Sequence, residues 1–203
     1  MKAFRTFSSL IRADFGMVRA YRAKYHGQQI PFSHLPLDAV RRIGFQMMLA
    51  IRVMGLVRDL RLPLLPQIAS RLIRHIYGAE IHWEARFAGG VAIVHGVGLV
   101  VSHSASVGSG SILFHNVTLG ESVDPETREQ GAPNLGENVH IGPGATLLGP
   151  ITVGAGTKIM AGAVLDRSVP PYSLVRPAAV AIVERSRSTA LPEGSQSADG
   201  SAS

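Results

Sequence analysis

Apolar positions follow two different rules along this chain. In the first 78 residues they recur at helical spacing: Phe7, Leu10, Ile11, Phe15 and Val18 mark one face of a helix over Thr6–Tyr25, with Gly27 as its terminator. Asp38 is placed to cap a second helix running to about Leu60. Pro66 suits the first turn of a third, which ends at Gly78 as a left-handed residue. From residue 79 the period changes to six. Aliphatic or aromatic leaders stand at Ile81, Phe87 and Ile93, then at Val101, Val107, Leu113 and Leu119. After a polar interruption they resume at Leu135, Ile141, Leu147, Val153, Ile159 and Leu165. Small or branched residues follow four places later, as at Ala85, Val91, Val97, Val139, Ala145, Ile151, Thr157, Ala163 and Val169.

A helix does not repeat every six residues, and its interior would be weakened by so much glycine. Six residues suit a short strand plus a corner, with the leader pointing inward and Gly or Asn taking the turn. Three such faces close one triangular coil, and a pile of coils shares one aliphatic core. About five coils fit between Ile81 and Pro171. The expected fold is therefore mainly β, a left-handed parallel β-helix of hexapeptide repeats behind a short α-helical region. The expected organisation is helices over 1–78, the β-helix over 79–178 and a Ser/Gly/Ala-rich disordered tail over 184–203.

Two places break the period, and insertions in a regular solenoid are where chemistry is usually carried. One is a two-residue slip between Ile93 and Val101, containing V-H-G-V-G (Val94–Gly98). The other is the polar loop over 121–134 (ESVDPETREQGAPN), whose length suits a cover over a site.

Charge divides the chain at the same boundary. Residues 1–79 hold 13 Lys/Arg against 3 Asp/Glu, a net +10, and residues 80–203 hold 7 against 11, a net −4. The basic helices read first as a solvated face; an anionic membrane surface or an anionic polymer is the alternative partner. No recognition motif for nucleic acid accompanies the charge. With no Cys in 203 residues, disulfides, a thiolate-bound zinc and a Cys nucleophile are excluded. The longest apolar stretch, Ile43–Val57, contains Arg52 and is shorter than the ~20 residues a bilayer requires. Arg5, Arg12 and Asp14 interrupt any signal-peptide core, so a cytoplasmic protein is expected.

Five segments carry a specific resemblance: A-E-I-H-W (Ala79–Trp83), V-H-G-V-G-L-V-V (Val94–Val101), N-V-T-L-G (Asn116–Gly120), H-I-G-P-G-A-T-L-L-G-P-I-T-V-G (His140–Gly154) and S-V-P-P-Y (Ser168–Tyr172), leading into R-P-A (Arg176–Ala178). Over about residues 79–178 the chain resembles the serine acetyltransferase branch of the hexapeptide-repeat acyltransferases. The resemblance implies an acetyl-CoA-dependent O-acetyltransferase with direct transfer. It implies that His95 is the general base and that Glu80, fifteen positions earlier where the family usually has Asp, orients it. It also implies a donor groove between subunits of a homotrimer, with a dimer of trimers as the larger arrangement. Gly142, Ala145, Ala161 and Gly162 would leave room for the pantetheine arm between coils, and Lys158 and Arg176 would meet the phosphates. No metal is expected: the five-residue His pairing of the γ-type carbonic anhydrases does not occur among His95, His103, His115 and His140.

Departures from the family bear on the acceptor. Val94 replaces the usual Asp before the base, and Gly131-Ala132-Pro133 stands where the family has Arg-His-Pro. An amino-acid zwitterion would lose its ionic partners there. Val94, His115 and Ala132 are accordingly expected to line a site for a neutral acceptor, a sugar or polysaccharide unit rather than serine. The alternatives are a serine O-acetyltransferase of cysteine biosynthesis and a non-enzymatic β-helix scaffold.

Overall fold

All thirteen leaders of the six-residue repeat are buried, and their strands stack into three parallel sheets. The computed structural model describes residues 2–179; the expected tail over 184–203 lies outside the described residues. The first face of the prism carries Glu80–Ile81, Val100–Val101, Thr118–Gly120, Thr146–Leu148 and Val164–Leu165. The second carries Arg86–Phe87, Ser106–Val107, Asn134–Leu135 and Thr152–Val153. The third carries Ala92–Val94, Ile112–Phe114, His140–Ile141, Lys158–Ile159 and Leu174–Val175. This is the left-handed parallel β-helix, and the repeat explains its register: Ile93 pairs with Leu113, Leu113 with Ile141, and Ile141 with Ile159. Each coil thus lays leader upon leader.

The two interruptions behave differently. At the first, Val97 is 57% exposed, while Leu99 is fully buried and takes the inward position that the six-residue count gives to Val97. The two extra residues push the corner outward and reset the phase. At the second, Ser122–Val123 and Gln130–Gly131 pair antiparallel as a hairpin. Its tip is held by Asp124, whose Oδ1 accepts from the backbone N–H groups of Glu126 and Thr127, each at 2.8 Å. Those bonds hold the Asp124 carboxyl below the ordinary carboxylate range.

Helices α1 (Lys2–His26), α2 (Leu35–Arg41), α3 (Ile43–Asp59) and α4 (Leu65–Tyr77) precede the prism. The single helix expected from Asp38 to about Leu60 is divided at Arg42, whose φ of −113° and ψ of 106° are extended. Asp38 does not cap; it lies inside α2, with Oδ1 2.9 Å from Arg42 Nε. The division lets α3 descend onto the strand Ala92–Val94. Contact is so close that a Cβ at Gly44 would collide with the Ile93 carbonyl oxygen, and one at Gly96 with the Met47 sulfur. Pro66 sits in the first turn of α4, and Gly78, at φ 63°, ends it in the left-handed conformation. Between α1 and the third face, Phe15, Ile30 and Phe45 form a second small core, with the Phe15 and Phe45 rings 5.5 Å apart. Among the described residues, no helix is long and apolar enough to cross a membrane.

His140 sits beneath α1, its ring stacked on Phe114 at 5.5 Å. Burial lowers its pKa, and repulsion from Lys158 and Lys24 adds to the effect. The folded state therefore favours the neutral ring, whereas the unfolded chain protonates it near the ordinary histidine value of about 6.5. His140 contributes stability above that value, and the contribution is lost as pH falls through the folded pKa. Urea unfolding of the wild type between pH 7.5 and pH 5 is expected to show a falling midpoint, and His140→Gln a flatter dependence. Equal slopes would remove His140 from the pH response.

Candidate active site

His95 occupies the widened corner between the third and first faces, at φ 65°. A non-glycine residue in that region is uncommon and, in a loop fixed on both sides, is strain held in place by the surroundings. Here the surroundings are α3, pressed against Ile93 and Gly96 through Gly44 and Met47. The His95 ring is exposed, makes no hydrogen bond among the described residues, and meets the His115 ring edge-on at 6.0 Å and 72°. His115 stands in the equivalent corner of the next coil, and its Nδ1 is buried with no hydrogen-bond partner. Val94 and both imidazoles line a cavity of about 780 Å³ between the prism and the helices. Its opposite wall carries Tyr21, Arg22 and His26 of α1, and Arg41 and Arg42 at the α2–α3 break.

The corner that carries His95 continues through the later coils. Asn116 donates its N–H to Val97 O at 2.9 Å, Gly144 to His115 O at 3.1 Å, and Gly162 to Pro143 O at 2.9 Å. His95, His115, Gly144 and Gly162 therefore stand on one edge of the prism, in successive coils. At about 4.8 Å per coil, His95 and Gly162 are roughly 14 Å apart along that edge. Gly144 and Gly162 have positive φ, and a Cβ at either would meet nothing within 4 Å. The edge below His95 is open.

Other expected residues are placed differently. Ala145 is fully buried in the core, and Gly142 is sealed against the next coil: its N–H donates to Ile159 O at 2.8 Å, and a Cβ would meet Ala161 N at 2.7 Å. The coils are joined by backbone ladders, so no ligand arm fits between them within one prism; the room lies outside, along the edge. Ala161, Gly162, Lys158 and Arg176 are exposed. Lys158 stands on the third face, lining a smaller cavity with His140 and Lys24. Ala132 is also turned inward, 7% exposed in the main core, so it lines no acceptor site in this chain.

Glu80 is not joined to His95 by a hydrogen bond. Its carboxylate forms an ion pair with Arg74 in the last turn of α4. It lines a separate cavity of about 430 Å³ with His82, His103 and Glu121, where His103 Nδ1 lies 3.2 Å from Glu121. The reason is local: α4 runs over the first coil and presents a cation nearer to Glu80 than the imidazole fifteen residues away. Among the described residues, no group of three or more His, Cys, Asp or Glu is arranged to hold a metal ion.

The cavity-lining residues that the sequence does not mark as part of a site are Arg22, Arg41 and Arg42. They had been counted only as a basic helical face. No local motif marks them, because they lie more than fifty positions from His95 along the chain and line its cavity only through the packing of the helices on the prism.

A coiled prism of six-residue repeats is the fold of the hexapeptide-repeat acyltransferase class, and residues 132–167 match the family described as bacterial transferase hexapeptide (six repeats). Over 130 residues the chain is 34% identical to the serine acetyltransferase of Helicobacter pylori, covering 64% of this chain and 75% of that protein. Over 127 residues it is 39% identical to the serine acetyltransferase of Synechococcus elongatus, covering 63% of this chain and 51% of that one. The crystal structure of Neisseria gonorrhoeae serine acetyltransferase in complex with serine superposes with a TM-score of 0.71 at 26% identity, covering 84% of this chain and 68% of that chain. The chain belongs to the serine acetyltransferase family. It spans about half the length of the Synechococcus relative.

These relatives overturn the expectation of a sugar or polysaccharide acceptor. That expectation rested on the neutral Gly131-Ala132-Pro133 stretch, taken as removal of charge from the site. Ala132 faces the core, and guanidinium groups stand across the cavity from His95 instead.

Proposed function

We propose that the chain is an acetyl-CoA-dependent serine O-acetyltransferase in which His95 is the general base. The observation that carries this reading is the placing of His95: exposed, at positive φ, at the head of an open edge and facing a cationic cavity. An acceptor hydroxyl is a poor nucleophile until its proton is removed as it attacks, and a positioned imidazole performs that transfer near neutral pH. Acetyl-CoA supplies the acetyl group as a thioester. His95 takes the proton from the acceptor hydroxyl as its oxygen bonds to the acetyl carbon, and returns it to the departing sulfur. The products are the O-acetyl ester and the free thiol, and no residue of the chain is acylated.

The open edge supports the donor side. Gly144 and Gly162 leave unobstructed surface leading up to His95. Ala161 beside Gly162 adds no bulk, and Lys158 and Arg176 on the neighbouring coils are cations available to phosphates. Glu80 enters this reading only if Arg74 releases it, so His95 is assigned without a carboxylate partner. Large apolar side chains exposed on the last coils, Met160, Val164, Tyr172 and Leu174, support burial of that end between copies in a trimer.

Purified protein with acetyl-CoA and L-serine is expected to release free thiol at a rate that saturates with both. Thiol release from a panel of sugars at the same rate, with none from serine, would reject the reading. Absence of turnover with every acceptor would leave the β-helix scaffold.

A further inference from the structure

We propose that Arg41, backed by Arg42, holds the acceptor's carboxylate, so that the helical layer rather than the hairpin loop supplies the acceptor's ionic recognition. This rests on the serine O-acetyltransferase reading and names the residues that select its substrate.

The lining of the His95 cavity includes Arg22, Arg41, Arg42 and His26 and, among the described residues, no Asp or Glu. The three guanidiniums are not equivalent. Arg42 lies beside Asp38, a buried carboxylate, and is largely compensated. Even so, that pair is imperfect: Asp38 Oδ2 and Arg42 Nε are buried without hydrogen-bond partners. Arg22 donates to the neutral Gln28 side chain. Arg41 has neither a hydrogen bond nor an ion pair among the described residues. It lines the same cavity as His95, and its guanidinium is the one in that lining with all of its donors free of a protein partner among the described residues.

Position gives the charge its use. Arg41 is the last residue of α2, and the extended Arg42 that follows lets α3 press Gly44 onto Ile93, two residues before His95. The cation and the base are thus fixed to one another through a short, rigid path. His115, whose Nδ1 is buried without a partner, lines the same cavity beside His95 and offers a further polar group to the same ligand. In the hairpin, Gly131, Ala132 and Pro133 carry no charge and are buried, and its one cation, Arg128, is exposed and outside the lining of the His95 cavity. A guanidinium matches a carboxylate with two parallel hydrogen bonds, which a neutral amide cannot accept. The net +10 of the helical segment thereby acquires a function within the molecule.

The test compares L-serine with L-serinamide, which keeps the hydroxyl and the amine and lacks the carboxylate. Wild-type protein is expected to prefer serine by 10- to 100-fold in kcat/KM. Arg41→Gln is expected to raise the serine KM by 10- to 100-fold with kcat within about threefold, and to leave serinamide turnover within twofold. Arg41→Lys should recover a good part of the loss. Arg41 is exposed, so an unchanged thermal midpoint verifies that the variant is folded. Arg42 is ion-paired, and substitution there would mix stability with binding, so Arg41 carries the test. An unchanged serine KM in Arg41→Gln overturns the inference and leaves the serine reading standing. Failure of wild-type protein to turn over serine overturns both.

Discussion

Replacing His95 by Asn is expected to lower kcat for acetyl transfer to serine by about 10²–10⁴-fold, while the KM values for both substrates change by less than about threefold. The size is what general-base catalysis contributes: each factor of ten is about 1.4 kcal/mol of transition-state stabilisation, so the loss corresponds to roughly 3–5 kcal/mol. Asn is the informative replacement because His95 sits at φ 65°, and Asn tolerates the left-handed region better than Ala does. His95→Asn therefore removes the base and keeps the corner, whereas His95→Ala adds backbone strain beside Gly96 and Met47. The imidazole across the corner provides the comparison. His115 shares the cavity, but its Nδ1 is buried against the wall. His115→Asn is expected to act chiefly on KM, with less than a tenfold loss in kcat. If His95→Asn lost less than fivefold and His115→Asn lost a hundredfold, the base would be His115. Both variants are single exposed or half-exposed positions, so near-wild-type unfolding midpoints are expected alongside the kinetic differences.

The β-helix was legible because its stability is written into local repetition. A leader every six residues must point inward in every coil, and each of the thirteen does. Even the slip at Val94–Gly98 was visible as a change of phase. The local count could not show which residue absorbs the slip, and the structure gives that position to Leu99 rather than Val97. His95 was legible for the same reason: it is the one histidine inside a phase break. The rest of the site was not, because it is assembled by distant packing. Arg41 belongs to a different layer, and it stands at the break before α3 at Arg42, a residue with no helix-breaking chemistry of its own, where it lines the His95 cavity. Glu80 is paired elsewhere for the opposite reason. Fifteen residues was treated as a distance within the β-helix, but Arg74 on α4 lay outside that frame and took the carboxylate. Ala145 is expected to leave room by its smallness, and Ala132 to line a neutral acceptor site by its lack of charge. In a prism, smallness at a repeat position means a tight interior as often as an open surface, and both face the core.

The largest effect on stability is expected at Asp14. Asp14 is 1% exposed and Arg52 5%, and together they bind the helices to the corner preceding the His95 strand. Arg52 donates Nε to Asp14 Oδ2 at 2.7 Å and Nη2 to Asp14 Oδ1 at 2.9 Å. Its remaining reach goes to the carbonyls of Phe87 and Ala88, each at 2.6 Å. Asp14 Oδ1 also accepts from the N–H groups of Gly90 and Val91, at 2.9 and 3.2 Å. One carboxylate and one guanidinium thus satisfy four backbone groups of a buried corner while joining α1 to α3. Asp14→Ala would leave a guanidinium buried without its counter-charge and two amides without acceptors, at a cost of about 3–5 kcal/mol. Set against a total stability of roughly 5–15 kcal/mol, that is enough to unfold a large share of the chains at 37 °C. Arg52→Met alone should cost a similar amount. The double variant Asp14→Leu with Arg52→Met should not cost the sum, because no charge is left stranded. It should not return to wild type either, since the carbonyls of Phe87 and Ala88 and the amides of Gly90 and Val91 lose their partners. Urea unfolding of the four proteins reads this directly as midpoints ordered wild type, double variant, then the two single variants. Additive costs in the double variant would show that the two side chains act independently and that no coupled ion pair joins α1 and α3.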